Sequence, residues 1–179
     1  TMTAEVRFLR ALYYYHLMDC FGNIPFLTEL SADNAPQASR KDVYNFIESE
    51  LLAVREDMLE PAARKSGDEG YGRADRNAAD LLLARLYLNA EVYTGQAQWE
   101  KAKQYAKLVM DGPHKLNTKG MNGYSAYQML FMGDNGETSA ATEAVLPLLQ
   151  DGTTTTSWGT TLFLLASTTK ADMGVFGTS

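Results

Sequence analysis

The opening twenty residues constrain the fold of this chain more than any other part of the sequence. Residues 3–20 contain no proline or glycine, and apolar side chains cover almost the whole circumference of the helix that they predict. A helix that is apolar on all sides lies between neighbours rather than on a surface. We therefore predict a helical protein whose first helix is packed on several faces and ends at Gly22. Its apolar residues fall on two sides, one with Phe8, Leu12 and Tyr15, the other with Val6, Leu9, Tyr13, Leu17 and Cys20.

A second helix is predicted between Ser39 and Pro61. Ser39 is a suitable N-cap, and Asp42 stands three residues later, as in a capping box. Over residues 43–58 the apolar side chains recur every three or four positions, while most charged side chains fall between them. This spacing predicts a helix with one solvent-facing side.

Two further helices are predicted to pair in the manner of a tetratricopeptide repeat. Asp75 is a good N-cap for a third helix that reaches about Tyr93, and it follows a glycine-rich loop at 67–72. A fourth helix begins near Trp99 and ends at Gly112. Small residues at helical spacing let the two helices approach closely, although the turn between them is longer than a regular repeat allows. The packed side of the third helix has Ala78, Ala79, Ala84 and Ala90, and that of the fourth has Trp99, Ala102, Ala106 and Val109.

The character of the sequence changes after residue 113. Residues 122–132 predict a short helix, 144–149 suit an edge strand or an irregular segment because of Pro147, and 153–156 and 161–166 read as extended. The predicted fold class is mainly α, with tetratricopeptide-like helix pairs over 1–113 and an irregular, partly extended region of the same domain over 114–179. No apolar leader precedes the first helix, so we expect both termini of a longer parent protein to lie outside these 179 residues.

Composition argues against several classes of function. Hydrophobic residues make up 45% and charged residues 21% of the chain, which is typical of a globular protein. The 16 basic and 22 acidic residues give a net charge of −6, which repels nucleic acid on average. The apolar runs are far shorter than the roughly 20 residues that a membrane span needs. We therefore predict no nucleic-acid partner and no transmembrane segment in this sequence.

Four blocks of sequence, taken in their order and spacing, resemble the SusD/RagB family. The likeness continues through 143–159 and so covers nearly the whole chain. It is strongest to the starch-binding member of the family, through NAEVYTGQ at 89–96 and QDG at 150–152. The four blocks are AEVRFLRALYYY at 4–15, DCFGNIPF at 19–26, GRAD at 72–75 and ARLYLNA at 84–90.

This resemblance implies a location, a function and a partner. Members are outer-membrane lipoproteins that are anchored through an N-terminal cysteine, here outside the sequence, and displayed on the outer face. Their tetratricopeptide-like helices dock a TonB-dependent transporter of the SusC-like kind, and an irregular region binds glycan and delivers oligosaccharide to it. They are not enzymes and need no cofactor. The implied role is therefore starch or other polysaccharide binding in nutrient uptake.

Trp158 is the candidate glycan-binding residue. It follows a run of threonines and precedes Gly159 in a segment without helical period. An exposed aromatic ring offers a flat face to the C–H groups of a sugar and loses little entropy on binding. The starch-binding member of the family has an aromatic residue at the corresponding place. The alternative is that Trp158 packs in the core.

Two other functions remain open from the residues alone. A glycosidase needs two carboxyl groups about 5–10 Å apart across a cleft, and a helical-repeat scaffold would bind only protein. For the first, the clustered candidates outside the helices are Asp134, Glu137, Glu143 and Asp151.

The two histidines and an acidic turn are also interpreted as structural rather than metal-binding. His16 and His114 are far apart and lack zinc-site spacing. Residues 134–137 could supply oxygen atoms to calcium but lack the spacing of an EF-hand, so a polar turn is favoured and the metal content is left unknown. No catalytic residue is assigned.

The single cysteine and three of the arginines are also expected to be structural. We expect Cys20 to be buried and inert. We expect Arg7, Arg10 and Arg85 to reach carboxylates or helix-end carbonyls, because they lie on helices rich in apolar residues.

Overall fold

Helices make up most of the structure, as the sequence predicts. The computed structural model describes residues 1–29 and 34–149, and none of the helices in that part of the chain is long and apolar enough to cross a membrane. Two short strands pair in antiparallel fashion between the first two helices. Strand β1 (Ile24–Pro25) follows the first helix, and strand β2 (Gln37–Ala38) precedes the second. The helices are α1 (Met2–Phe21), α2 (Arg40–Val54), α3 (Arg76–Leu88), α4 (Ala90–Thr94), α5 (Trp99–Asp111) and α6 (Ala126–Met129), with 3₁₀ turns at Arg55–Asp57 and Ser139–Glu143.

The predicted helix starts are confirmed by their capping contacts. The Ser39 hydroxyl accepts a hydrogen bond from the Asp42 amide at 3.1 Å. The Asp75 carboxylate accepts one from the Ala78 amide at 3.2 Å. Each side chain thereby satisfies an amide that has no partner within its own helix. Gly22 follows α1 with a φ of 76°, which favours glycine.

Two predicted helix ends are wrong. The α-helical part of α2 stops at Val54 and tightens into a 3₁₀ turn well before Pro61. The third helix does not run unbroken to Tyr93, because the backbone at Asn89 (φ −99°, ψ 10°) leaves the helical region between α3 and α4. Apolar periodicity continues across both breaks, and for that reason the sequence pattern does not reveal them.

The long helices pack in alternating directions, as tetratricopeptide-like pairs require. Between α1 and α2, Arg7 meets Glu50 while Tyr14, further along α1, meets the earlier residue Phe46. The order is reversed in the same way between α3 and α5, where the rings of Tyr87 and Tyr105 stack at 5.5 Å and a methyl group on Gly112 would press on Asn77.

The core lies between these helices. The alanines predicted to allow close approach (Ala78, Ala79, Ala84 and Ala90) are all buried. The largest fully buried apolar and aromatic side chains come from α1, α2 and α3, and they are Phe8, Tyr15, Met18, Val43, Tyr44, Ile47, Leu51, Val54, Leu83, Leu86 and Tyr87.

One side of α1 is left open, and we call it the α1 stripe. Its members lie three or four residues apart and so share a face, whereas the opposite side of the helix is buried. Cys20 lies beside the stripe and is exposed, so the expectation of a buried thiol is wrong. The stripe consists of Met2, Val6, Leu9, Tyr13, Leu17 and Phe21, which are 41–76% exposed.

Trp99 is also misplaced by the sequence prediction. It was expected to pack in the core, but 61% of it is exposed, and Ala102 is the buried residue of α5. Trp99 is the first residue of that helix. Spacing identifies residues that share a helix face. It does not say whether a neighbouring helix covers that face at every position along the helix axis.

The three arginines are structural, in two different ways. Arg7 and Arg10 both donate hydrogen bonds to the carboxylate of Glu50, as predicted. Arg85 instead lies over the ring of Tyr15, with its guanidinium carbon 5.4 Å from the ring centre. This is a cation–π contact rather than the expected contact with a carboxylate or carbonyl.

Candidate functional site

Trp158 lies outside the described residues. The same holds for Asp151 and for the extended segments expected at 153–156 and 161–166. The proposed stacking role of Trp158 therefore stays a prediction. The structure does describe the earlier part of the irregular region, residues 114–149.

Three aromatic side chains are exposed in that part, and we call them the aromatic patch. They are Tyr124, Tyr127 and Phe131, which are 46%, 71% and 72% exposed. The rings of Tyr127 and Phe131 lie 5.1 Å apart, at an angle of 64°. Aromatic rings of this size are ordinarily buried in cores or interfaces. The patch is therefore a candidate binding surface.

Phe131 lies on the turn that follows the short helix α6, and Tyr127 lies on α6 itself. A capping box begins it, in which the Gln128 amide donates to the Ser125 hydroxyl at 3.3 Å and the Ser125 amide donates to Gln128 Oε1 at 2.9 Å. Met129, only 3% exposed, fixes the inner side of the helix. The rings of Tyr127 and Phe131 lie side by side and both are exposed.

A tight turn places the third ring. Met121 and Tyr124 exchange two backbone hydrogen bonds, of 3.1 and 3.0 Å. Asn122 and Gly123 between them both have positive φ, 54° and 85°, the geometry that an Asn-Gly hairpin turn favours. Gly120 passes close beneath: a Cβ atom there would lie 2.2 Å from the Tyr124 carbonyl oxygen.

Asn117 joins the start of α6 to the later 3₁₀ turn. Its side-chain amide donates to the Ala126 carbonyl at 2.9 Å, and its Oδ1 accepts from the Ser139 hydroxyl at 2.9 Å. Its backbone amide donates to Glu143 Oε2 at 2.8 Å. The aromatic patch is therefore held by a connected set of hydrogen bonds even though it lies outside the long helices.

Three of the four candidate catalytic carboxylates, Asp134, Glu137 and Glu143, lie among the described residues. Glu143 binds the backbone at Asn117. Asp134 and Glu137 are exposed on a turn that is closed by a 2.9 Å hydrogen bond from the Glu137 amide to the Asp134 carbonyl. In the described part of the chain, no group of three His, Cys, Asp or Glu side chains is placed to hold a metal ion.

His114 belongs to a buried cluster around Asp75. The imidazole Nε2 lies 3.8 Å from Asp75 Oδ2, and that oxygen also accepts from Arg64 Nη1 and the Ala62 amide, each at 3.3 Å. Asp75 is only 1% exposed. The cluster ties the loop before α3 to the cap of that helix, which agrees with a structural role for His114.

The sequence signal for the aromatic patch was present but was interpreted as a short helix alone. Tyr124, Tyr127 and Phe131 lie within the short helix predicted over residues 122–132. The spacing of Tyr127 and Phe131 indicates that they lie near each other, but it does not say whether they face a core or water.

Comparisons with known proteins agree with the resemblance of the sequence blocks. No family model matches the chain. The chain is 41% identical over 177 residues to the starch-binding protein SusD of Bacteroides thetaiotaomicron, a match that covers 98% of this chain and 30% of that protein. The chain thus spans less than a third of the length of the curated relatives that it matches.

Solved structures give the same result. A SusD-like protein of Bacteroides fragilis matches 83% of this chain and 27% of its own chain, with a TM-score of 0.63 and 25% identity. Surface glycan-binding protein A of Bacteroides uniformis matches 75% of this chain and 28% of its own, with a TM-score of 0.56 and 30% identity. With sequence and fold in agreement over most of its length, the chain belongs to the SusD-like family.

Proposed function

We propose that the protein binds a glycan without cleaving it and delivers oligosaccharide to a transporter in the outer membrane. The observation that carries this proposal is the 41% identity to a starch-binding protein across 98% of the chain. The similarity to a surface glycan-binding protein supports the same ligand class. Starch or a related polysaccharide is the first substrate to test.

Trp158 is the proposed stacking residue for the sugar. A sugar ring presents C–H groups on its faces, and an aromatic ring attracts them through the negative potential above its plane. Shallow sites of this kind bind through stacking and a few hydrogen bonds, so they hold glycan without the deep cleft that bond cleavage needs. The aromatic patch shows that the irregular region does expose rings of this type.

Binding without turnover fits the carboxylates that are described. A glycosidase needs two carboxyl groups facing each other across the scissile bond, one of them free to transfer a proton. Glu143 instead accepts a hydrogen bond from the Asn117 backbone. Its role in holding the irregular segment together favours a structural carboxylate over a catalytic one.

The proposed partner is a TonB-dependent transporter of the SusC-like kind, and the proposed location is the outer face of the outer membrane. The lipid anchor would lie in a segment outside these residues. Antiparallel tetratricopeptide-like helices offer the broad surfaces that repeat proteins use to bind other proteins. Co-purification with a transporter from solubilised outer membranes, with or without bound glycan, tests this part of the proposal.

One experiment separates the three candidate functions. The full-length protein is titrated calorimetrically with maltoheptaose, soluble starch and laminarin, and each mixture is then analysed for shorter products. Binding without product supports the proposal. Product formation would establish the glycosidase. The absence of both binding and product would favour the protein-binding scaffold.

A further inference from the structure

We propose that the aromatic patch of Tyr124, Tyr127 and Phe131 is a second glycan-stacking subsite for a neutral oligosaccharide. This inference rests on the proposed function, because it assigns a further contact of the same glycan. It adds three residues to the one residue, Trp158, that the sequence nominates.

The first support is the way the rings are presented. Tyr127 and Phe131 are more than 70% exposed, yet Met129 between them is buried. The two rings are inclined by 64° at a centre-to-centre distance of 5.1 Å. They therefore offer two faces at an angle rather than one continuous flat plane. Such a pair fits a chain of sugar rings that curves or changes orientation from one unit to the next.

The second support is preorganisation. The capping box fixes the start of α6, the Met121–Tyr124 turn fixes the third ring, and Asn117 ties α6 to the later 3₁₀ turn. A ligand that binds to rings already held in place does not have to order flexible loops, and that saves free energy on binding.

The third support is the polar chemistry around the rings. Gln128 is exposed between Tyr127 and Phe131 in the sequence, and its Oε1 is used by the capping box while its amide nitrogen remains a donor. Asn122, at the tip of the turn, is also exposed. Amide side chains beside aromatic rings match the hydroxyl groups and C–H faces of a sugar.

The charge of the segment favours a neutral ligand. Residues 120–133, which hold all three rings, contain no charged side chain, whereas Lys115 and Lys119 precede them and Asp134 follows. The α1 stripe provides a contrast, because its aliphatic residues run together along one helix face as they do in protein–protein contacts. In the aromatic patch, the exposed amide side chains of Asn122 and Gln128 lie near the rings in sequence.

The test uses the full-length protein with the double substitution Tyr127→Ala/Phe131→Ala. Its affinity for maltoheptaose, measured by isothermal titration calorimetry, is expected to fall about five- to tenfold, the scale of a lost aromatic contact. Its melting temperature is expected to stay unchanged, because the rings are exposed. The matched control is Trp99→Ala/Met110→Ala, which removes two large side chains of similar exposure, 61% and 72%, from α5. That control is expected to bind as the unsubstituted protein does.

The possible results separate this inference from the proposed function. If the unsubstituted protein binds none of the glycans, the proposed function fails and the subsite fails with it. If it binds maltoheptaose and the double variant binds equally well, the subsite alone is overturned. A large fall in melting temperature with unchanged affinity would instead identify the rings as core residues of the full-length protein. A changed oligomeric state with unchanged affinity would identify a protein contact. If the double variant does not fold, the single substitutions Tyr127→Gln and Phe131→Gln carry the same comparison.

Discussion

The guanidinium group of Arg7 on α1 lies against the carboxylate of Glu50 on α2, with Nη2 2.6 Å from Oε1 and Nε 3.1 Å from Oε2. Arg10, one turn further along α1, donates to the same carboxylate at 2.6 Å. Glu50 is buried, with 8% of its surface exposed. The hydrogen bond from Arg7 lowers the pKa of Glu50, and burial only partly opposes it, with Arg10 adding to the lowering. The two arginines therefore keep a buried carboxylate charged.

We predict that Glu50→Gln lowers the free energy of unfolding by about 1.5–3 kcal/mol at pH 7, the range for hydrogen bonds to charged groups. Since the pKa is lowered in the folded state, the contribution of Glu50 is present above the unfolded pKa of about 4.3 and is lost as the pH falls through the folded value. The difference between Glu50→Gln and the unsubstituted protein should therefore shrink below about pH 4 in urea unfolding. Glu100→Gln, at an exposed position, is the control. A difference that stays constant from pH 7 to pH 3 would contradict the assignment.

The α1 stripe predicts that these 179 residues, expressed alone, self-associate. Six large apolar side chains exposed on one helix face form the kind of patch that drives association. Tyr13→Lys/Leu17→Lys should weaken the association at least about tenfold, because a charge must be desolvated on contact. Sedimentation velocity measures the effect. Glu91→Lys, an exposed site on α4, produces the same change in net charge and should leave association unchanged. A monodisperse monomer that unfolds cooperatively would show that the stripe needs no cover.

We predict that a side chain at Gly120, beneath the aromatic patch, destabilises the fold. Gly120→Ala puts a methyl group 2.2 Å from the Tyr124 carbonyl oxygen, a backbone atom that cannot move without opening the turn. We expect a cost of about 1–3 kcal/mol, as for other overpacked sites. Gly133→Ala is the control, since a methyl group there meets nothing within 4 Å. The melting temperatures of both variants are measured by thermal unfolding. Equal values would argue against the close approach of Gly120 to the Tyr124 carbonyl oxygen.

Trp158→Ala tests the residue that the sequence nominates for sugar stacking. If the ring stacks on glycan, affinity should fall by roughly 1–2 kcal/mol while the melting temperature barely moves. If the ring is part of the core, stability should fall by about 3–5 kcal/mol, and binding should fail only with the fold. Calorimetric titration and thermal unfolding of the full-length variant distinguish the two. Unchanged affinity with a large loss of stability would remove Trp158 from the site.

Local chemistry predicted the starts of the helices well. Ser39 and Asp75 act as caps because their side chains bind amides only three residues away, so no distant contact is needed to define them. The ends of α2 and α3 were less predictable. Leu51, Val54 and Met58 continue the apolar spacing across the end of α2, so the pattern carries no mark of the change to a 3₁₀ turn.

Exposure was harder to predict than secondary structure. Trp99 and Cys20 share helix spacing with buried residues, yet both are exposed, because no helix within residues 1–29 and 34–149 covers them. Whether a face is covered depends on contacts between distant parts of the chain. The aromatic patch was missed for the same reason, since Tyr127 and Phe131 look alike in sequence whether they face a core or water.

Because the thiol of Cys20 is exposed, chemical labelling can measure how accessible the α1 stripe is. Cys20 is the single cysteine of these residues, and it lies at the end of α1 beside Phe21. A maleimide probe attached there reports on one position and needs no engineered cysteine. The rate of attachment at Cys20 in the full-length protein, located by peptide mapping and compared with the rate for these 179 residues alone, measures how far that helix face is shielded from reagents in the whole molecule.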